Sequence, residues 1–264
     1  SGGDIYWRLL DPLGRTVFGP TYIDYEDQLG IRTMPLTGRY TLLVEGRYYT
    51  TGTAAFSFRV QPVADEALGL QLNEVKNQSI AHPGQTDVYS FTLTETKLVY
   101  FDALGSNTTV DNWYLRWSLS GPQGTLVGNR PFRGSDSYDG TSILELVPGS
   151  YTLTMRGMAD SGNAIDLTGD YSFRLLDLGT ATPVTPGIPV TSETGVLNPA
   201  AETDAYRFEA RAGDRFYFDR TLNSGGDTYW RMLDPWGRTL WGPTSVGSDV
   251  DVTALPFTGT YTLL

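Results

Sequence analysis

The chain has 264 residues, of which 40% are hydrophobic and 12% aromatic, enough for sizeable packed cores and too many for a disordered polymer. Acidic residues number 30 against 19 Lys and Arg, and the formal net charge of −11 repels phosphate backbones and argues against a nucleic-acid partner. Cysteine is absent and no run reaches about 18 consecutive apolar residues, which excludes disulfides, thiolate metal sites and membrane-spanning helices.

In chain order, residues 1–21 read SGGDIYWRLLDPLGRTVFGPT. Trp7 alternates with Ile5 and Leu9, which predicts a strand that turns these three toward a core. Tyr6 and Arg8 then face outward, where they would meet a ligand or a neighbouring module. Asp11-Pro12-Leu13-Gly14 is turn chemistry, and Phe18 before Gly19-Pro20 closes one edge of the core. An acidic loop follows with Asp24, Glu26 and Asp27, then Gly38 leads into the strand Tyr40-Thr41-Leu42-Leu43, and Phe56-Ser57-Phe58-Arg59 comes next. In the middle of the chain, alternation and β-branched or aromatic residues predict strands at 88–93, 97–101, 143–146, 151–155 and 171–176. Pro122-Gln123-Gly124 supplies a turn, Asp136 and Asp139 an acidic loop, and Gly149 an entry to Tyr151-Thr152-Leu153. Residues 179–199 are rich in Thr, Pro and Gly, as in an extended linker or a first edge strand. Beyond them Trp230 points inward, Tyr229 and Arg231 outward, Trp236 sits exposed in the turn Asp234-Pro235-Trp236-Gly237, and Asp249 and Asp251 form a third acidic loop.

The chain repeats itself. Residues 224–244, SGGDTYWRMLDPWGRTLWGPT, return residues 1–21 without a gap, and the stretch around Trp117 and Pro122 is a more diverged copy. Gln85-Thr86-Asp87-Val88-Tyr89-Ser90-Phe91 returns as Glu202-Thr203-Asp204-Ala205-Tyr206-Arg207-Phe208, Val99-Tyr100-Phe101-Asp102 as Phe216-Tyr217-Phe218-Asp219, and Phe56-Ser57-Phe58-Arg59 as Tyr171-Ser172-Phe173-Arg174. The unit of about 110 to 117 residues has the size of one domain, too long for a solenoid repeat. The fold class expected is all-β, tandem antiparallel β-sandwich modules of jelly-roll type. On this register residues 1–63 are the later part of one module, 64–178 a complete module, and 179–264 the earlier part of a third. Ser1-Gly2-Gly3-Asp4 does not read as a natural start, so the chain is expected to belong to a longer polymer, with flanking protein or strand addition from neighbouring chains completing the partial modules.

The motifs Asp87-Val88-Tyr89-Ser90-Phe91, Gly121-Pro122-Gln123-Gly124 and Gly149-Ser150-Tyr151-Thr152-Leu153, with Asp11-Pro12-Leu13-Gly14 and Asp234-Pro235-Trp236-Gly237 in the flanking copies, resemble the bacterial pre-peptidase C-terminal domain. The central copy departs from the pattern, with Ser120-Gly121 where its neighbours have Leu-Asp. The resemblance implies small β-sandwiches of large extracellular proteins or of secreted proteases, some of which bind calcium through acidic loop residues.

Little chemistry is written in the chain. His82 is the one histidine and lies in an Ala-His-Pro-Gly turn, and neither a nucleophile elbow nor a zinc-helix motif occurs, so no enzyme is expected. The acidic loops place Asp24, Asp27, Asp136, Asp139, Asp249 and Asp251 at matching positions, either as Ca2+ ligands or as solvated turn acids. Single acids also recur at Asp4, Asp111 and Asp227, and at Asp102 and Asp219. The function expected is a repetitive stalk, fibre or adhesin segment at the cell surface or outside the cell, with copies of the same module or chain as partners. The alternatives are a module binding surface glycans or matrix polymers, and an accessory domain of a secreted protease.

Overall fold

The computed structural model describes residues 4–23, 31–109, 113–135, 143–157, 167–187, 193–221 and 226–264. The described residues build an all-β molecule, with 3₁₀ turns at Arg133–Ser135 and Leu178–Thr180. No helix among them is long and apolar enough to cross a membrane.

Strands β1 (Ile5–Leu10), β2 (Thr16–Tyr22) and β3 (Thr41–Gly46) form a sheet in the order β2-β1-β3. The next strands are β4 (Glu66–Gly69), β5 (Lys76–Ile80), β6 (Thr86–Leu93), β7 (Lys97–Thr108), β8 (Leu115–Gly121), β9 (Gly124–Pro131), β10 (Ile143–Leu146), β11 (Gly149–Gly157) and β12 (Gly169–Asp177). They form two facing sheets, β4-β6-β11-β8-β9 and β10-β7-β12-β5. The last strands are β13 (Thr182–Pro183), β14 (Tyr206–Ala210), β15 (Arg215–Phe218), β16 (Tyr229–Leu233), β17 (Thr239–Ser245), β18 (Val250–Ala254) and β19 (Gly259–Leu263). Their sheets run β13-β14-β19-β16-β17 and β15-β18.

Pairing is antiparallel except at two edges, where β4 runs parallel to β6 and β13 parallel to β14. In the central sandwich β4 lies in one sheet, β5 crosses to the other, and β6 returns beside β4. A strand that leaves for the facing sheet and comes back in this way re-enters in its original direction.

The central core follows from period-two alternation. Along β6 the buried positions are Asp87, Tyr89, Phe91 and Leu93, while Ser90 and Thr92 are exposed. Leu115, Trp117 and Leu119 of β8, Tyr151, Leu153 and Met155 of β11, and Tyr171, Phe173 and Leu175 of β12 are buried by the same rule. Rings dominate the interior: Phe101 stacks on Trp117 with centroids 3.9 Å apart, and Phe173 lies over Phe101 at 5.4 Å. The Trp117 indole N–H donates to Ser135 Oγ at 2.7 Å, so the ring is buried without an orphaned donor.

The landmarks that recur in the sequence touch one another. Asp11 Oδ1 accepts the amides of Leu13 and Arg15, each at 2.9 Å, and Oδ2 accepts Arg15 Nε at 2.7 Å. Asp234 does the same for Trp236, Arg238 and the Arg238 guanidinium. In the central copy Gly121 replaces this Asp, and a Cβ there would lie 2.2 Å from Tyr151 Cε1, so the ring position forbids a side chain. Gly149, at φ 145, packs flat on Pro122, where a Cβ would come within 2.2 Å of the proline Cγ. One residue beyond the glycine's neighbour, Tyr40, Tyr151 and Tyr261 each donate a hydroxyl to the carbonyl four residues earlier, at 2.7, 2.7 and 2.9 Å. The recurrent Gly-x-Tyr is thus a tyrosine corner that pins the entry to the closing strand.

Candidate functional site at the joint between sandwiches

The most elaborated polar site lies where the central sandwich meets the C-terminal one. Asp177 ends β12 and caps the 3₁₀ turn, its Oδ1 accepting the Gly179 amide at 2.9 Å. Asn73 fastens this exit: its Oδ1 accepts the Asp177 amide at 2.8 Å, and its Nδ2 donates to Thr180 Oγ1 at 3.1 Å. Lys97 Nζ reaches Asp177 Oδ2 at 3.1 Å, and its partners, Glu95 first and then Asp177, raise its pKa. Two residues later Thr182 already donates to Ala205 O at 2.9 Å, so the crossing between sandwiches carries little slack.

Apolar and charged contacts then close the joint. Tyr100 and Leu178 of the central sandwich pack against Leu233 and Leu264 of the next, all four buried, with Leu98, Ile143, Leu176 and Ala205 around them. Arg174 Nε donates to Asp102 Oδ2 at 2.8 Å, Nη2 donates to Thr203 O at 2.8 Å, and Nη1 pairs with Glu202 Oε1 at 2.9 Å. The Thr203 amide returns to Asp102 Oδ2 at 3.3 Å. Burial pushes the Asp102 carboxyl up to about 6, against the opposing pull of Arg174.

A second polar cluster is inside the central core. Tyr171 donates its hydroxyl to Asp87 Oδ2, Gln85 Nε2 donates to Asp87 Oδ1 at 2.6 Å, and the Tyr89 and Tyr171 hydroxyls are 2.7 Å apart. Burial drives both tyrosines well above the usual phenol range. Tyr171 is thereby a donor to a buried carboxylate and not an acid poised for proton transfer.

Asp24, Asp27, Asp136 and Asp139 lie outside the described residues, as do Glu26 and Asp111. Asp249 accepts the Tyr217 hydroxyl at 2.7 Å and the Arg220 amide at 3.0 Å, which ties the β15–β18 pair together and lowers its pKa, the Tyr217 bond first. Asp251 Oδ1 accepts the Val252 amide at 2.6 Å. Among the described residues no three His, Asp or Glu side chains gather closely enough to hold a metal ion. His82 is partly buried in its turn, with Nδ1 3.5 Å from Pro83 O.

Arg8 Nε pairs with Glu45 Oε2 at 2.7 Å, and the Arg47 guanidinium lies 4.6 Å above the Tyr6 ring. Trp236 is exposed on its turn, edge-on to Phe257 at 4.7 Å with Arg238 over its face at 4.9 Å. Tyr229 is half-buried at the start of β16. Arg231 departs from expectation: alternation points it outward, yet it is 3% exposed. Leu233, two residues on, packs into the joint cluster, so the side of β16 away from its own core is covered by the central sandwich.

The joint residues Arg174 and Glu202 were not singled out as a site in the sequence; the one signal present was the recurrence of Asp102 as Asp219 and of Arg174 as Arg59.

The architecture defines an all-β protein of sandwich type. No protein-family model and no curated protein matches the chain. Among solved structures it is similar to the pre-peptidase C-terminal domain of a collagenase from Bacillus anthracis, at 18% identity and a TM-score of 0.28, over 44% of this chain and 99% of that one.

Proposed function

We propose that the chain is a structural segment of a bacterial extracellular or cell-surface protein, a non-enzymatic spacer whose sandwich modules are locked end to end. Residues 1–63, 64–178 and 179–264 are, in this reading, parts of three consecutive modules. The observation that carries it is the joint: a buried apolar cluster of Tyr100, Leu178, Leu233 and Leu264 beside the Arg174 bridge to Glu202 and Thr203. A linker serving flexible domains has few contacts crossing it, whereas an array that holds its direction needs apolar and directional contacts at each crossing. The motif resemblance to modules of large extracellular proteins supports the location.

The test is surface labelling of intact source cells with an antibody against this chain. Labelling that external protease removes is the expected result, and labelling seen only after lysis would overturn the reading.

A further inference from the structure

The outward face of β5, β12 and β7 changes character along its length. Beside the joint its polar groups are used, with Arg174 and Asp102 paired at 2.8 Å. Further along β12, Tyr171 and Phe173 turn into the core, so Asp170 and Ser172 point out. The two ladders put Asn107 and Ser79 opposite Asp170, and Gly105 and Asn77 opposite Ser172. These six outward positions form two rows across three strands, about 4.8 Å from strand to strand and roughly 6.5 Å from row to row. They line an open groove of about 640 Å³. Every one of them belongs to the complete central sandwich.

The groove holds polar groups that the fold does not use. Asn77, Asn107 and Asp170 are exposed, and Ser79 and Ser172 are half-buried. Among the described residues the side chains of Asn77, Asn107, Asp170 and Ser172 take no hydrogen bond or ion pair from the chain, unlike Asp102 and Arg174 on the same strands. Gly105 sits between them on β7 without a side chain, and a Cβ built there would meet nothing within 4 Å. A glycine inside a strand marks a place where another molecule can come close to the backbone.

We propose that this groove binds a neutral saccharide. The chemistry of its walls selects that class. Among the described residues lining it Asp170 alone is charged, and a negative charge in a chain of net −11 turns away acidic ligands. One carboxylate among neutral oxygens is a poor cage for a divalent cation, which wants several. Tyr171 is 2% exposed and offers no open ring, so an apolar ligand finds nothing to cover. A peptide strand needs a free ladder edge, whereas β12 is paired on both sides. What fits is a molecule with many hydroxyls, each able to donate and accept. Asp170 accepts from two neighbouring hydroxyls of one ring, the Asn107 and Asn77 amides donate and accept on either side, and Ser172 and Ser79 complete the rows. The ring lies over Gly105, where no side chain holds it off. The groove is separate from the joint, so loss of this binding would leave the spacer reading standing.

Amide NMR spectra of the isotope-labelled chain test this by titration with neutral oligosaccharides of glucose, galactose, mannose and N-acetylglucosamine, each to millimolar concentration. The expected result, for at least one of the four, is a saturable shift of the amides of residues 77–79, 105–107 and 170–172. Asp170→Asn and Asn107→Ala should each weaken it about tenfold or more, as for lost hydrogen bonds to a ligand. Thr152→Ala, on the outward face of the other sheet, should leave it unchanged. Asp170 and Asn107 are exposed, so the same spectra should show each variant folded. No groove shift with any of the four sugars overturns the proposal, as do groove shifts that Asp170→Asn leaves intact. Equal shifts with oligogalacturonate, an acidic sugar, or with calcium chloride alone would also overturn it, because the groove would then read charge and not hydroxyls.

Discussion

Arg174 and Asp102 stand directly opposite each other on β12 and β7, and their side chains meet at 2.8 Å with 14% and 1% exposure. The same guanidinium continues to Glu202 and Thr203 across the joint. One cation therefore serves the core of one sandwich and the attachment of the next.

Removing that cation strands a buried carboxylate. Arg174→Ala is expected to destabilise the central sandwich by about 3–5 kcal/mol, as for broken buried pairs elsewhere. Replacing both partners, Arg174→Met with Asp102→Leu, should recover most of that loss while leaving the joint without its bridge. Urea titrations of the three variants read both effects.

The Asp102 carboxyl gives the joint a pH dependence of definite sign. Its pKa of about 6 in the folded chain exceeds the ordinary value near 3.9 for an unfolded Asp, so the folded state holds a proton that the unfolded state has lost. That contribution is fully present below about pH 4 and is lost as pH rises through 6, on the order of 2–3 kcal/mol in all. Asp102→Asn should flatten this part of the profile. Melting temperatures of both chains between pH 4 and 7 decide it, and parallel profiles would refute the assignment.

Inside the core, Tyr171→Phe removes one donor to Asp87 and keeps the ring packing. The expected cost is about 1–3 kcal/mol, the penalty for an under-satisfied buried acceptor. Tyr89→Phe should cost less, because Tyr89 meets the Tyr171 hydroxyl and not the carboxylate. The order of the two midpoints in denaturant is the check.

The Asp-Pro turns predict an asymmetry between copies. Asp234→Ala leaves two amide donors, those of Trp236 and Arg238, without the carboxylate oxygen that accepts them and should cost about 1–2 kcal/mol in the C-terminal sandwich. Gly121→Asp, which restores the motif on paper, should destabilise the central one because its Cβ collides with Tyr151. Thermal melts of the two variants test this together.

The fold class was legible because turns and alternation are local. The strand Ile143–Leu146 falls where β-branched and apolar residues predict it, and β6 buries Asp87, Tyr89, Phe91 and Leu93 at alternate positions. Local pattern cannot report which surfaces abut. Leu233 looks like the outward side of a strand until Tyr100 and Leu178 are placed against it, and Arg231, two residues earlier, is buried although alternation turns it outward. The parallel edges of β4 and β13 were hidden for the same reason, since direction depends on a crossing between sheets. Asp102 was visible as a recurrent acid, but its partner lies 72 residues away and only the ladder brings them together.

The central claim, a rigid joint between sandwiches, is tested most directly by a spin-label distance across it. The chain has no cysteine, so Thr152→Cys with Thr239→Cys, both exposed, labels the central and C-terminal sandwiches cleanly. At concentrations too low for self-association, double electron–electron resonance should give one narrow distance distribution, which broadens when Arg174→Ala is added. A broad distribution in the otherwise wild-type chain, unchanged by Arg174→Ala, would contradict the account.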